Sequence, residues 1–210
     1  TDEFILSKGH SCILQYLILN DLGYLTDNDI KLYCKPGGKL GCHPDYGVPG
    51  IQASTGSLGH GMGLAAGIGQ AYRIKQTDTK LFIVISDGEL QEGSTWEAMM
   101  MIANLNLNNI VCILDHNGSQ SFGHTKETHP KFYPILEKVE GFGWECFEVN
   151  GHSSEEITKV FSKSHAVASA KSVNLVSIQQ FTLRDSRRRL HVSVSIRFSS
   201  RTPNYLFDVC

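Results

Sequence analysis

The 210-residue sequence has no C-x-x-C pair, no internal repeat and no interdomain linker, and no apolar run approaches the roughly 20 residues needed to span a bilayer. Its six cysteines (Cys12, Cys34, Cys42, Cys112, Cys146 and Cys210) are scattered. A secreted disulfide scaffold is shorter and denser in cysteine, so a reducing compartment, the cytoplasm, is expected. Cys34, Cys42 and His43 match no common zinc spacing. Cys112, inside the apolar run 110–114, reads as a small buried hydrophobe. A formal net charge of -2 gives no electrostatic footprint for nucleic acid. The apolar stretch 12–19 has Lys8 as its only nearby base, is interrupted by Gln15 and Tyr16, and leads to no cleavage-site pattern. It reads as a core helix, not a signal peptide, and no membrane partner is expected.

What remains is the composition of an ordinary globular protein, with 41% hydrophobic and 19% charged residues. The length suits one domain, alone or with an appendage. Residues 11–22 place Ile13, Leu14, Leu17 and Ile18 at the spacing of a buried helix face. Thr26 caps a second helix through Tyr33. Residues 35–59, rich in glycine and proline, form a long loop of the kind that is usually functional. Helices are then expected over 61–74, 96–105, 131–140 and 153–170, and strands over 81–85, 110–114, 145–149 and 173–178. This alternation predicts an α/β fold, a parallel sheet with helices on both faces.

In such sheets ligands bind beyond the carboxyl ends of the strands. Asp87 follows one strand, and Asn117 stands 30 residues later, just past the next. Asp-Gly and Asn-Gly are also common turns, and either alone says little. Across one strand–helix–strand unit, however, neighbouring strands are about 5 Å apart, so one ion can touch both side chains. A carboxylate, an amide oxygen and a main-chain carbonyl form a hard set suited to Mg²⁺ or Ca²⁺. Gly88 and Gly93 bracket the start of the next helix, where a phosphate can approach the backbone. The pattern reads as a diphosphate held through a divalent cation.

These residues lie in S-D-G-E-L-Q-E-G (86–93) and D-H-N-G (115–118), which resemble the thiamine diphosphate signature. With L-S-K-G-H (6–10), G-C-H-P (41–44), V-P-G-I-Q-A-S-T-G-S-L-G-H-G (48–61), G-S-T-W-E-A (93–98) and F-G-W-E-C-F-E-V-N-G-H (142–152), the chain resembles the amino-terminal half of transketolases. The match is especially close to the type in which that half is a separate subunit, and it runs over about residues 3–178. The resemblance implies a thiamine diphosphate-binding fold. It also implies that Asp87 and Asn117 bind the metal through side chains and Ser119 through its carbonyl, with Gly88 and Asn117 on the cofactor side. Gly56 and Leu58 would border the aminopyrimidine, and His10 and His43 would serve catalysis, facing the cofactor and the donor sugar's hydroxyls. His60 is a weaker candidate beside them, while His116, His124, His129 and His152 are assigned to surface or loop. Glu92 and Glu97 would lie at a dimer interface. The implied activity is ketol transfer between sugar phosphates, as a homodimer or heterotetramer. A pyrimidine-binding carboxyl-terminal half or subunit would supply the activating glutamate, so the isolated chain is expected to be inactive.

Three departures accompany the match. Ser86 replaces the usual first glycine of the triplet, the chain begins inside the family pattern, and the pattern ends after about Ile178. A truncated or frame-shifted coding sequence is the expectation for both ends. Residues 179–210, with Arg184, Arg187, Arg188 and Arg189 before the alternating Val192, Val194 and Ile196, are therefore expected to form a divergent tail outside the 1–178 domain. A degenerate, non-catalytic relative is the alternative. A nicotinamide dehydrogenase is a further one, because residues 61–66 fit G-x-G-x-x-A, but that fingerprint requires a preceding strand.

Overall fold

The computed structural model describes residues 2–167 and 173–179, with the short segments 192–193 and 208–209. Five short runs become the parallel strands β1 (Glu3–Leu6), β2 (Leu81–Ser86), β3 (Ile110–His116), β6 (Trp144–Asn150) and β7 (Val173–Gln179), in the spatial order β1-β2-β3-β7-β6. Strands buried on both faces need apolar residues at successive positions, and β2 and β3 supply them. Leu81, Ile83, Ile85, Ile110, Cys112 and Leu114 face one core cluster, while Phe82, Val111 and Ile113 face another.

The first cluster is closed by α3 (Gly61–Ile74) and α4 (Gly93–Asn104) through Met62, Ala65, Met99 and Ile102. The second receives α7 (Ser154–Val167) through Ile157. A third cluster packs α1 (Cys12–Asp21) and α2 (Asp27–Lys31) with the long loop, through Leu40, Val48 and Ile51. Thr26 caps α2 in a capping box with Asp29, as the sequence predicts.

Two expectations are corrected and one strand is added. The buried face of α1 is Cys12, Gln15, Tyr16 and Leu19, whereas Ile13 and Leu17 are each 37% exposed. This helix is apolar nearly all round, so spacing alone cannot choose its face. Tyr16 is buried because its hydroxyl finds carbonyl partners at Gly41 and His43. The helix expected over 131–140 is only α6 (Leu136–Glu140), preceded by a 3₁₀ turn at Pro130–Phe132. Pro134 separates them, since it lacks a donor and holds Tyr133 in an extended conformation (φ -86°, ψ 153°). The apolar run 4–6, too short to stand out, is the edge strand β1, paired with β2 from Glu3↔Leu81 to Leu6↔Val84.

After β3 the chain makes a small hairpin, β4 (Ser119–Gln120) and β5 (Gly123–His124), and then the single turn α5 (Thr125–Thr128). Val192–Ser193 and Asp208–Val209 pair with each other, separately from the five-stranded sheet. Val194, Ile196 and the arginine cluster lie outside the described residues.

Candidate functional site

The carboxyl ends of β1, β2 and β3 lie side by side, because Leu6 pairs with Val84 and Ser86 with Asp115. Each strand then turns sharply and presents polar groups at the same edge of the sheet. The long loop folds back over this edge, tied to β1 by the Thr55 hydroxyl donating to the Leu6 carbonyl at 2.6 Å.

Asp87 is fully buried at the end of β2. Its Oδ1 accepts from the Gly88 N–H at 3.0 Å, and its Oδ2 accepts from the Gly118 N–H at 2.9 Å and the Thr125 hydroxyl at 3.2 Å. The Gly118 bond joins Asp87 directly to the Asn117 turn, so the structure brings the two sequence-predicted ligands together. Asn117 is oriented from both sides: its amide nitrogen donates to Asp115 at 3.3 Å, and its oxygen accepts from the Ser119 N–H at 2.8 Å. The Ser119 carbonyl faces Gly88, where an added Cβ would lie 3.9 Å from that oxygen and 3.4 Å from the Gln120 Cβ. Gly88 has no side chain to fill the space beside this carbonyl, and its N–H is spent on Asp87.

This donor set fits a hard cation. A carboxylate accepts at about four positions, and Asp87 uses three. Burial pushes the Asp87 carboxyl above the usual carboxylate range, against the opposing pull of His116 and of the three hydrogen bonds. A divalent ion would offset that penalty. The buried Oδ1 of Asp115 and Oε2 of Glu89 lack hydrogen-bond partners at the same strand ends.

The other end of the site is a layer of loop and turn. A Cβ on Gly56 (φ +149°) would lie 2.8 Å from the His43 ring, and one on Gly9 would lie 2.9 Å from Gly56, so both positions require glycine. His43 is half-buried, and its carbonyl accepts from the Tyr16 hydroxyl at 2.7 Å. His10, in the 3₁₀ turn Gly9–Ser11, presents an exposed ring. Partial desolvation lowers its pKa, assisted by Lys8 and His43 and opposed by Asp115. His10, His43 and Gly56 thus converge. Leu58 is half-buried, and exposed His60 precedes α3 at an open cleft of about 530 Å³ shared with Thr55, Gly56 and Ser57.

Several groups at the site escape sequence reasoning. Lys8 forms an ion pair with Asp115, spanning from β1 to β3 across β2. Glu89 is fully buried, and its Oε1 accepts from the Ser7 hydroxyl and, at 2.9 Å, from the Gly59 N–H. Burial raises its pKa, while those bonds and Lys8 oppose the shift. Lysine and glutamate beside a turn ordinarily read as surface residues, and only their confinement at adjacent strand ends reveals these pairs. His116, assigned from sequence to surface or loop, is a half-buried residue of β3 stacked on Tyr133, with ring centroids 5.7 Å apart. The strand runs two residues beyond its apolar core and carries His116 to Gln179 of β7.

The dehydrogenase reading loses its support. Gly61 follows loop instead of strand, and its lack of a side chain serves close packing, since a Cβ would lie 2.0 Å from the Ser7 hydroxyl oxygen. The dinucleotide fingerprint is therefore out of context.

The chain is similar to known proteins in sequence and in fold. Residues 1–181 match the family model described as transketolase, thiamine diphosphate binding domain. An apulose-4-phosphate transketolase subunit from Phocaeicola vulgatus is 34% identical over 160 residues, covering 76% of this chain and 57% of that protein. Human transketolase is 36% identical over 167 residues, 78% of this chain and 26% of the human protein. Transketolase from Campylobacter jejuni superposes with a TM-score of 0.78 at 28% identity, over 85% of this chain and 29% of its own. The chain thus spans little more than half of the subunit-type relative and about a quarter of the full-length enzyme.

Proposed function

Because the chain belongs to the transketolase thiamine diphosphate-binding family, we propose that it forms the diphosphate- and metal-binding half of an enzyme that transfers a two-carbon ketol unit between sugar phosphates. The observation that carries this reading is the Gly118 N–H bond to Asp87, which locks the two motif turns into one cradle. Asp87, Asn117 and the Ser119 carbonyl would hold Mg²⁺ or Ca²⁺, with Gly88 leaving space for the diphosphate. Gly56 and Leu58 would border the aminopyrimidine. The cofactor, when bound, supplies the electron sink for carbon–carbon bond cleavage.

The protein's own part is orientation and proton movement. The lowered pKa favours the neutral imidazole at His10, the form that accepts a proton from a sugar hydroxyl. His43, fixed through its backbone by Tyr16, presents its ring from the same layer. Glu92 and Glu97 are exposed at the start of α4, available to an interface. The glutamate that activates the aminopyrimidine is assigned to a pyrimidine-binding partner half, within a homodimer or heterotetramer. The described cysteines are all unpaired, which suits a reducing compartment such as the cytoplasm.

Mixed with a pyrimidine-half subunit, the chain is expected to transfer ketol units, and His43→Ala to lower turnover more than cofactor affinity. Full turnover by that variant would remove the role of His43. Residues 180–210 are proposed to lie outside the domain, one residue later than the boundary expected from sequence, because Gln179 still belongs to β7. A chain ending at residue 181, where the family match ends, should melt within a few degrees of the whole chain, whereas a large loss would place the tail in the core.

A further inference from the structure

Loop residues 55–59 are gripped at both ends. At one end Thr55 donates its hydroxyl to Leu6 and its N–H to Pro44 at 3.1 Å. At the other, Gly59 (φ +84°) is held on both sides of its backbone: its N–H donates to Glu89 at 2.9 Å, and its carbonyl accepts from the Ser94 hydroxyl at 2.9 Å. A Cβ on Gly59 would lie 2.6 Å from the Ser94 oxygen and 2.7 Å from the Glu92 Cβ, so this fit admits only glycine. Gly56, Ser57 and Leu58 hang between these anchors. Glu89 itself is fully buried, and one of its carboxyl oxygens is without a hydrogen-bond partner. Burying a carboxylate this way is costly unless the group holds something in place.

We propose that Glu89 is a positioning residue for the ring end of the cofactor: by gripping the Gly59 amide, together with the Ser7 hydroxyl, it holds residues 56–58 in the shape that borders the aminopyrimidine. The inference rests on the thiamine diphosphate reading above. Glu89 also lies on the short turn Glu89–Gln91, directly after Asp87 and Gly88, so one segment serves both ends of the site. Asp87 takes the cation and Glu89 takes the loop. A pre-shaped loop spares the ordering cost of binding, and that advantage is felt only by a ligand that reaches it.

Inorganic pyrophosphate and thiamine diphosphate separate the two ends. The dissociation constants of both, with Mg²⁺ present, are to be measured calorimetrically on the whole chain and three variants. Glu89→Ala is expected to weaken thiamine diphosphate about tenfold and leave pyrophosphate unchanged. Glu89→Gln keeps an acceptor oxygen and should remain within about twofold of the parent for both ligands. Ser94→Ala, an exposed change that leaves the core intact, should weaken thiamine diphosphate about threefold and spare pyrophosphate. Equal weakening of both ligands by Glu89→Ala would reduce Glu89 to a support of the fold and overturn the proposal. Should Glu89→Ala fail to fold, Ser94→Ala decides: an unchanged ratio of the two affinities overturns the proposal. If the parent chain binds pyrophosphate but none of the variants alters the ratio, the cofactor reading stands and this inference falls. If it binds neither ligand, both fall.

Discussion

The two ends of the site are built in different ways. At the end proposed for the diphosphate the polar groups sit directly on strand ends, and the parallel pairing of β2 with β3 fixes Asp87 against the Asn117 turn. At the end proposed for the ring His43, Gly56 and Leu58 sit on a loop, which side chains from elsewhere hold in place: Tyr16 from α1, Thr55 against β1, and Glu89 from the turn after β2. A sheet determines the position of its strand ends through many backbone bonds at once. A loop depends on a few single contacts, so it opens at lower cost.

The largest expected difference lies at the diphosphate end. Asp115 orients the Asn117 amide and pairs with Lys8, so Asp115→Ala should weaken Mg²⁺-dependent binding of thiamine diphosphate by roughly 10–100-fold. Pyrophosphate should be weakened as much, because the damage is done at the metal. An effect on thiamine diphosphate alone would blur the distinction between the two ends.

A smaller effect is expected at the loop. Tyr16→Phe removes the donor shared by the Gly41 and His43 carbonyls and should cost about 1–2 kcal/mol in a denaturant titration. Pyrophosphate affinity should not change. If it falls with stability, the two ends are not separable.

The smallest effect is one of pH. Burial raises the pKa of both Asp87 and Glu89, so without a cation protonation of each is more favourable in the folded chain than in the unfolded one. Their contribution to stability is complete below the unfolded carboxylate pKa of about 4 and is lost as pH rises through the raised folded values. A divalent ion reverses this at Asp87 by favouring the carboxylate. The rise in melting temperature caused by Mg²⁺ with thiamine diphosphate should therefore be greater near pH 7 than near pH 5. A larger rise at the lower pH would contradict the placement of the ion on Asp87.

The contrast also explains what is legible in the sequence. The strands β2 and β3, the helix between them and the 30-residue interval from Asp87 to Asn117 announce the diphosphate end, because apolar runs mark strands and strands mark their own ends. The ring end is reachable only through the family resemblance. Nothing in the spacing of Ser7, Gly59 and Glu89 indicates that they meet, since their contacts form between segments far apart in the chain. The buried face of α1 escapes the helical spacing for a related reason: Tyr16 is chosen by carbonyls of the loop, which no helical period records.

The cradle of Asp87, Asn117 and Ser119 is tested most directly by thermal denaturation with thiamine diphosphate, in Mg²⁺ and then in excess chelator. The folded chain should be protected only when the cation is present, and Asp87→Ala should abolish the protection by removing the charged ligand. Equal protection in chelator, or full protection of the Asp87→Ala variant, would contradict a diphosphate held through a metal at these strand ends.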